Sequence, residues 1–509
     1  MFKEVSTNVK FPDLEGSVLE FWRTHDIFKK SMQKDSPAGD YIFYEGPPTA
    51  NGKPGVHHVI SRSFKDLFPR YKTMQGYRVA RKGGWDTHGL PVELEIEKKL
   101  GFSGKRDIEK FGIAEFNKLA KASAFEYIKE WNQMTERIGF WVDLEKPYIT
   151  YENSYTESCW WVMKSLWDRG LLFEDYKVTM HCPRCNTSLA DHEVSQGFKD
   201  DVDDPSVYPK FPVNVETLKA KGITDGSRPV YVMAWTTTPW TLPANTALAV
   251  SAEAEYGLVE APKAHGSEEK DLYILATALA ENVFGEGNYQ TLKTFTGDDL
   301  VGLTYTPILQ GRVPAGEQVS KGFRVITDKS VSLSDGTGVI HIAPAYGDLD
   351  IGNQNDLPTL FSVDLNGEVY PEVRPLDLTE NPGPYTGQFF KKADKQIAKD
   401  LKERGLLYRE ARIKHAYPFC WRCNTPLLYY AKSSWYIRTT ALKDKLVSNN
   451  QKINWYPDHI KTGRFGKWLE NNVDWALSRE RYWGAPLPIS VTEEIQAQLF
   501  VGSVKELGE

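Results

Sequence analysis

The chain has 509 residues, 41% of them hydrophobic and 13% aromatic, and its 62 basic and 68 acidic residues give a net charge of −6. This length predicts roughly three domains, and the composition is ample for several packed cores. No apolar run is long enough for a membrane span, and the polar first residues lack the apolar segment of a secretory signal. We therefore expect a soluble, cytoplasmic protein that binds any nucleic acid through local basic patches.

The first predicted element is a buried strand at Tyr41–Tyr44, which runs into the turn "EGPPTANGKPG" at 45–55. Apolar residues then recur at helical spacing, with a kink or a break expected at Pro69. This order is typical of a nucleotide-binding α/β domain, in which a helix N-terminus offers N–H groups to phosphate. The loop matches neither the dinucleotide fingerprint nor the P-loop, so alone it also fits ordinary surface histidines at His57 and His58.

The remainder of the chain changes its pattern twice. Residues 104–142 and 154–172 are amphipathic and helical in pattern, short β-branched runs dominate from about 201 to 390, and a helical pattern returns at 391–405. The sequence thus predicts an α/β domain interrupted by a long β-rich insertion. The predicted boundaries are a first half of the α/β domain at 1–145, insertion stems at 146–200 and 391–432, a β-rich domain at 201–390 and the returning α/β half at 433–509.

Four of the five cysteines form two Cys-x-x-Cys pairs in matching surroundings, "HCPRCNTSL" and "FCWRCNTPL". So few cysteines do not make a disulfide scaffold, and neither pair sits at the strand-to-helix junction that thiol redox chemistry favours. The pairs can instead supply the four thiolates of one structural zinc ion. The alternatives are two separate, half-filled sites or no metal. The predicted ligands are Cys182, Cys185, Cys420 and Cys423.

Several stretches together carry a family resemblance. They are "GPPTANGKPGVHHV", "GGWDTHGLPVELEIEKKLG", "WTTTPWTLPAN", "GTGVIHIAPAYGDLD", "CWRCNTPL" and "WALSRERYWGAPLP". In this order they resemble the class I aminoacyl-tRNA synthetases, and among them the members specific for isoleucine. The Thr-Thr-Thr-Pro run at 236–239 separates the chain from the valine and leucine members, where a Thr-Thr-Arg-Pro type run is expected.

The resemblance implies a Rossmann-type parallel sheet at whose strand ends ATP, with magnesium, meets isoleucine. The amino acid would be joined to AMP there and then transferred to its tRNA, through positioning and charge stabilisation of the reacting phosphate. By the same resemblance Gly46 and Pro47 line the substrate loop, and Asp86 pairs with the α-ammonium group of the amino acid. The plain alternative for Asp86 is a helix N-cap.

The resemblance also makes the β-rich insertion a hydrolytic editing domain, with the zinc-binding segments at its roots. One missing methylene changes binding by only ~1–3 kcal/mol, a limit for which isoleucine-specific synthetases are themselves the standard example, so a second site must remove valine. Threonine hydroxyls would position water and the ribose end of tRNA, His341 would wall the pocket, and Asp350 would hold the amino group. The alternative is an ordinary strand with a strand-face histidine. The implied editing residues are Thr236, Thr237, Thr238, Asn245, His341 and Asp350.

The opening loop departs from the family pattern, because Gly55, Val56, His57 and His58 stand where the family has His-x-Gly-His. In the family order both imidazoles face the ATP phosphates, and the glycine lets the adenine ring approach the backbone. Gly55 cannot make the first phosphate contact, and His57 stands where adenine is expected. Two interpretations remain open: a degraded site, or a working site in which His58 keeps its role and the loop shifts.

The family's Lys-Met-Ser-Lys-Ser loop and helical anticodon-binding domain are not found in this sequence. We therefore expect a fragment of a longer, monomeric enzyme that does not activate amino acids efficiently by itself. One alternative is a stand-alone hydrolase of mischarged tRNA, against which the intact "GWDTHG" stretch counts. Another is a non-enzymatic tRNA-binding module, which the negative net charge disfavours.

Overall fold

The structure is a computed structural model in which residues 7–491 and 498–508 are described. Its contacts divide the chain into two compact units. Unit 1 comprises the residues up to Leu172 and from Arg481 onward, and unit 2 comprises Phe173–Glu480. The finer domain boundaries given above remain predictions. Within the described ranges, no helix combines the length and the apolar character that a bilayer crossing requires.

Helices account for a much larger share of the residues in unit 1 than in unit 2. They are α1 (Phe11–Thr24), α2 (Ile27–Gln33), α3 (Val56–Met74), α4 (Leu90–Leu100), α5 (Lys105–Phe111), α6 (Ile113–Ser123), α7 (Ile128–Arg137), α8 (Asn153–Trp167), α9 (Asp191–Val194), α10 (Val215–Ala220), α11 (Ala280–Phe284), α12 (Gly297–Leu300), α13 (Leu349–Gln354), α14 (Phe390–Glu403), α15 (Lys443–Gln451), α16 (Arg464–Glu470) and α17 (Val504–Leu507). The helical patterns at 104–142, 154–172 and 391–405 correspond to α5–α7, α8 and α14, so these predictions are confirmed.

Strands dominate unit 2. The strands are β1 (Lys82–Trp85), β2 (Asp143–Ile149), β3 (Leu172–Cys182), β4 (Thr187–Leu189), β5 (Phe198–Pro212), β6 (Val230–Met233), β7 (Ala247–Val250), β8 (Glu255–Pro262), β9 (Lys270–Ala276), β10 (Gln290–Thr296), β11 (Arg324–Thr327), β12 (Val339–Ile342), β13 (Leu407–Pro418), β14 (Leu428–Ile437), β15 (Trp475–Ala476), β16 (Ile489–Val491) and β17 (Gln498–Phe500). The stretch predicted to be strand-rich, 201–390, contains most of β5 and all of β6–β12.

Parallel pairing organises the centre of unit 1. β1 pairs in parallel with β2, and isolated parallel bridges join Asp40 to Arg78 and Thr49 to Asp86. α3 lies between the bridged segments in the chain, and α4–α7 lie between β1 and β2. Strand segments that run parallel and alternate with helices are the connectivity of a mixed α/β domain.

The buried strand predicted at Tyr41–Tyr44 is wrong. The segment pairs only at its start, where the Tyr41 N–H donates to the Arg78 carbonyl at 2.9 Å, and no continuous ladder follows. Ile42 and Tyr44 are 74% and 87% exposed. Apolar composition alone indicated burial, whereas burial requires a covering layer, and the described residues place none over these side chains.

Of the kink or break predicted at Pro69, the break does not occur, because α3 continues to Met74. Proline inside a helix removes one hydrogen bond and costs about 3 kcal/mol. Pro69 and Arg62 are the two buried residues of α3, and the carbonyl of Pro69 accepts a hydrogen bond from the Thr73 hydroxyl at 2.8 Å. Packing of this buried side offsets the local cost of the proline.

Unit 2 contains three sheets built on one large core. Their strand orders are β10-β8-β9-β6-β5-β13, β11-β7-β12 and β15-β14-β3-β4. The central strand β7, with the sequence Ala-Leu-Ala-Val, is buried at every residue, as expected for a strand covered on both faces. Trp240, Phe390 and Tyr346 belong to the same core, and they anchor the segments that carry the candidate site.

Candidate functional site

The two Cys-x-x-Cys pairs meet at one place in unit 2, which we call the thiol cluster. The sulfurs of Cys182, Cys185, Cys420 and Cys423 all lie within 4.8 Å of one another, and those of Cys182 and Cys423 are 3.5 Å apart. Four sulfurs at ~2.3 Å from a tetrahedral zinc ion lie about 3.8 Å apart. All four cysteines are free of disulfides. They could therefore hold one metal ion together, and the geometry does not separate them into two half-filled sites.

The asparagine that follows each Cys-x-x-Cys pair adopts a backbone conformation that few other residues tolerate. Asn186 and Asn424 adopt φ of 49° and 59°, the left-handed conformation that asparagine tolerates better than most residues. In the first turn the Cys185 N–H donates to the Cys182 sulfur at 3.4 Å, and in the second the Asn424 N–H donates to the Cys420 carbonyl at 2.8 Å. Both turns fold the chain back so that the two sulfurs of each pair face the cluster.

The electrostatics of the thiol cluster favour a bound cation. Hydrogen bonds from Cys182 and Cys185 lower the pKa of Cys420 to about 7 and lower the pKa of Cys423 far below its usual value. Hydrogen bonding to Cys185 raises the pKa of Cys182 instead. Without a metal, some sulfurs must donate protons while others accept. Four thiolates at this spacing would require a divalent cation, and its binding would release the remaining protons.

The loop that contains Gly46 and Pro47 continues into Pro48 and Thr49, which pair with Asp86 in unit 1. The Asp86 N–H donates to the carbonyl of Pro48 at 2.9 Å, next to the parallel bridge from Thr49 to Asp86. Two stretches that are distant in the sequence therefore form one edge of the site.

Asp86 is not the N-cap of the following helix. α4 begins at Leu90, and its N-cap is Gly89. The Asp86 carboxylate accepts a hydrogen bond from the His88 N–H at 3.4 Å, and Asp86 is half-buried. The plain structural alternative of a helix cap is therefore wrong, and the carboxylate belongs to the turn between β1 and α4.

Hydrogen bonds from Lys65 of α3 and from Tyr148 hold the loop at Glu45 and Gly46 in place. The Lys65 ammonium donates to the Glu45 carboxylate at 3.1 Å and to the Gly46 carbonyl at 3.3 Å. The Tyr148 hydroxyl donates to the Glu45 carbonyl at 3.1 Å. Any side chain at Gly84 would clash with the Tyr148 ring, so the glycine of "GGWD" gives the tyrosine room to reach this loop.

The two histidines open α3, and each has a different environment. His58 is half-buried, its Nδ1 accepts the Gly55 N–H at 2.9 Å, and its ring lies 4.6 Å from that of Trp131. Burial lowers the pKa of His58, so at pH 7 the ring is neutral with its proton on Nε2, free to donate. His57 is exposed, 3.8 Å from the His58 ring. A Cβ at Gly55 would lie 2.9 Å from Cε1 of His57.

Sequence reasoning gave no individual role to residues 481–483, which pack onto the same corner of unit 1. The buried Glu93 carboxylate accepts the Tyr482 N–H at 2.8 Å and forms an ion pair with Arg481. The Trp483 indole N–H donates to the Thr87 carbonyl at 2.6 Å. This buried pair and ring hold residues 481–483 against the Asp86 turn. The sequence signal for it was the family resemblance of "WALSRERYWGAPLP", which assigned no role to its individual residues.

In unit 2, a chain of hydroxyl groups connects the predicted threonines to His341. Thr236 and Thr238 Oγ1 are 3.2 Å apart, Thr238 and Thr241 Oγ1 are 3.2 Å apart, and Thr241 Oγ1 lies 3.1 Å from His341 Nε2. Burial lowers the pKa of His341 to about 4, so its imidazole is neutral at pH 7. Thr237 lies in the same segment and is half-buried. Residues 236–238 are called the threonine segment below.

The other two predicted editing residues have different surroundings. Asn245 is buried, and its amide donates to Ala247 O at 2.8 Å and accepts the Tyr305 hydroxyl at 2.7 Å. Its hydrogen bonds thus serve the core. Asp350 is exposed in the first turn of α13, which follows the short helix at Pro344–Tyr346. The carboxylate is accessible to a ligand from solvent.

Trp240 and Asp394 connect the segment that follows the threonines to α14. Sequence reasoning assigned a role to neither residue. The Trp240 ring lies 4.8 Å from Tyr346 and 4.9 Å from Phe390 of α14. The backbone N–H of Trp240 donates to the Asp394 carboxylate at 2.8 Å. Asp394, only 2% exposed, therefore holds the helical turn that follows the threonine segment.

Asp394 supports a prediction on stability. Burial raises its pKa to about 8, well above 3.8, so its contribution to folding is full at low pH and is lost as pH rises towards 8. We expect the free energy of unfolding of Asp394→Asn, relative to the unmodified chain, to rise with pH across that window by up to about 1.4 kcal/mol per pH unit. Urea unfolding at pH 5 to 9 measures it. A pH-independent difference would contradict the prediction, and Asp350→Asn is the exposed control.

Comparisons with known proteins identify the family of the chain. The family model described as "tRNA synthetases class I (I, L, M and V)" matches residues 17–509. The chain belongs to this family, and its fold is that of a class I synthetase with mixed α/β content.

Curated relatives are similar along the whole chain. It is 51% identical over 529 residues to an isoleucine–tRNA ligase of Dehalococcoides mccartyi strain CBDB1, covering 100% of this chain and 50% of the relative. The isoleucine–tRNA ligase of Thermus thermophilus is 49% identical over 509 residues, covering 100% and 46%. The chain thus spans about half the length of these relatives. The solved LeuRS–tRNA–LeuAMS complex of Agrobacterium radiobacter K84 matches with 16% identity and a TM-score of 0.35, covering 97% of this chain and 52% of that one.

Proposed function

We propose that the protein is an isoleucine–tRNA ligase, which activates isoleucine with ATP and magnesium and transfers it to its tRNA. In this proposal unit 2 hydrolyses tRNA mischarged with valine. The observation that carries the proposal is the pairing of Pro48 and Thr49, which directly follow Gly46 and Pro47, with Asp86 in unit 1. The chain that contains this pairing is about 50% identical to curated isoleucine–tRNA ligases throughout its length.

For activation, we propose a Rossmann-type sheet that includes β1, β2 and the bridged segment 40–49. The parallel bridges support this arrangement. Asp86 would bind the α-ammonium group of isoleucine, since a half-buried carboxylate forms a strong charge-assisted hydrogen bond. His58 would donate from Nε2 to an ATP phosphate, because Gly55 already occupies its Nδ1.

For editing, the threonine segment would position the ester end of valyl-tRNA and the attacking water. The linked hydroxyls support this role, because they place several donors and acceptors within one small region. The neutral His341 would form the wall that excludes isoleucine, and Asp350 would bind the free amino group. Asn245 would contribute indirectly, through the backbone of the segment that it bonds.

We further propose that the thiol cluster binds one structural zinc ion. Sulfur ligands suit zinc, and the sulfur spacing fits a tetrahedral ion. The metal would join the turn after β3 to the turn after β13. It would thereby link the two segments that flank the strand-rich part of unit 2. It would have no part in the chemistry, since four protein ligands leave no open coordination position.

Hydrolysis of valyl-tRNA by the unmodified chain tests the proposed function. We expect valyl-tRNA of the isoleucine acceptor to be deacylated at least tenfold faster than isoleucyl-tRNA, on the order of the discrimination that an editing site supplies. Isoleucine-dependent pyrophosphate exchange, measured on the full-length protein, tests the activation half of the proposal. Equal hydrolysis of both esters would contradict editing. A stand-alone hydrolase, the alternative function, would deacylate without exchange in any form of the protein.

The exchanged loop gives a separate prediction, based on the interpretation that it is a working site. Gly55→His alone should lower pyrophosphate exchange, because its Cβ would lie against the His57 ring. Adding His57→Gly removes that ring and restores the family order, so the double variant should recover activity. The expected result is strong non-additivity in the double-mutant cycle. No exchange in the natural form, with activity gained only in the double variant, would favour the degraded site.

A further inference from the structure

The exposed face of α14 carries a row of lysines at helical spacing, which we call the lysine stripe. The opposite face of the helix is buried in the core of unit 2, through Phe390, Asp394 and Leu401 among others. Residues three and four positions apart share a helix face, so the row forms one continuous strip along the surface. Its members are Lys392, Lys395, Lys399 and Lys402, all exposed.

The stripe is poorly neutralised by its surroundings. Across residues 7–491 and 498–508 its one ion pair joins Lys399 to Glu403 at 3.7 Å, with the two side chains 71% and 63% exposed. Such exposed pairs contribute at most about 0.5 kcal/mol, and like charges three or four residues apart destabilise a helix by a few tenths. By contrast Lys391, on the inner side, is paired with the buried Asp204 at 2.6 Å.

The length of the stripe matches a nucleic-acid backbone. Lys392 and Lys402 are ten residues apart, which corresponds to about 15 Å along the helix. One strand of a double helix carries a phosphate about every 3.4 Å of its axis, so this length faces about four phosphates. Four ammonium groups over four phosphates are a complementary arrangement, in a chain whose net charge of −6 otherwise opposes RNA.

We propose that the lysine stripe binds the phosphate backbone of the tRNA whose mischarged end unit 2 hydrolyses. This inference rests on the proposed function. The same helix holds Trp240 through Asp394 on its buried face, immediately after the threonine segment. The stripe and that segment thus lie on opposite sides of one helix, which is about 10–12 Å thick. RNA docked on the stripe would therefore bind the same helix that positions the segment with the threonine hydroxyl groups.

A quadruple lysine-to-glutamine variant tests the stripe. Each phosphate contact contributes ~0.7–0.9 to the slope of log affinity against log salt, so four contacts contribute about three. We expect the variant to lose about three units of slope and roughly tenfold or more in tRNA affinity near ~0.1 M salt. Its KM for valyl-tRNA should rise by the same factor with kcat unchanged. Fluorescence anisotropy with an isoleucine-acceptor tRNA transcript measures binding, and circular dichroism checks folding.

A control variant carries the same change of charge elsewhere in unit 2. It replaces four exposed lysines outside α14 by glutamine, and it should keep most of the affinity and slope. The control positions are Lys329, Lys443, Lys445 and Lys452.

Each result separates the two proposals. If the unmodified chain deacylates valyl-tRNA but the stripe variant binds tRNA with an unchanged slope, the stripe proposal alone is refuted. If the unmodified chain neither binds tRNA nor deacylates it, the proposed function fails and the stripe proposal with it. Loss of binding to phosphatidylserine vesicles without loss of tRNA binding would assign the stripe to a membrane surface and overturn the inference.

Discussion

Replacement of Cys182 and Cys185 by serine is expected to remove about one equivalent of zinc and to destabilise unit 2 by several kcal/mol. The reason is that binding to structural zinc sites supplies folding free energy, about 10–16 kcal/mol in isolated zinc-finger peptides. Two serines leave the other two sulfurs without a tetrahedral set. Metal analysis of the purified protein and urea unfolding measure the two effects. The same result is expected for Cys420→Ser with Cys423→Ser.

The fifth cysteine provides the matched control. Cys159 lies in α8 of unit 1, outside the thiol cluster, so Cys159→Ser should retain the full zinc content. Zinc that persists after loss of either pair would contradict a shared site. A disulfide within each pair of the natural protein would contradict metal binding altogether.

Asp350→Ala is expected to slow hydrolysis of valyl-tRNA about ten- to hundredfold. A hydrogen bond to a charged group contributes about 1.5–3 kcal/mol, and the change removes the carboxylate proposed to bind the amino group of valine. Because Asp350 is exposed, the free energy of unfolding should change by no more than about 0.5 kcal/mol. Single-turnover deacylation and urea unfolding of the same preparation give both numbers.

Asp298→Ala controls for the loss of an exposed aspartate near a helix start. Asp298 lies in the first turn of α12, as Asp350 lies in the first turn of α13. Its replacement should leave deacylation unchanged. An Asp350→Ala protein that hydrolyses valyl-tRNA at the natural rate would refute the role of Asp350, and a large loss of stability would show that the residue is structural.

Local sequence was sufficient for several helices, among them α5–α8 and α14, and for the choice of the four cysteines that form the thiol cluster. α14 follows directly from apolar residues at helical spacing, since that period places them on one side of a helix. The repeated Cys-x-x-Cys-Asn-Thr predicted that the two pairs belong to one site, and in the structure both pairs are followed by an asparagine in the left-handed conformation. The family resemblance rested on local motifs in the same way, and it identified the class of protein before any contact was known.

Predictions from local sequence were wrong where the burial of a segment depends on residues elsewhere in the chain. The apolar run at Tyr41–Tyr44 indicated a buried strand, but Ile42 is exposed because no described element covers it. Pro69 indicated a helix break, but packing of its own side chain keeps α3 continuous. In both cases the preference of a short segment competes with contacts made by distant residues, and the contacts decide the outcome.

The sequence by itself determined the family, the helix-forming stretches and the residue types available for a metal and for two candidate sites. Only the tertiary structure decided which of them meet. Cys182 and Cys423 are 241 positions apart yet 3.5 Å in space, and Asp394 reaches Trp240 across 154 positions. The physical reason is that periodicity and turn chemistry act over a few residues. Contacts between distant segments arise from burying shared apolar surface, and no short pattern records which partner supplies it.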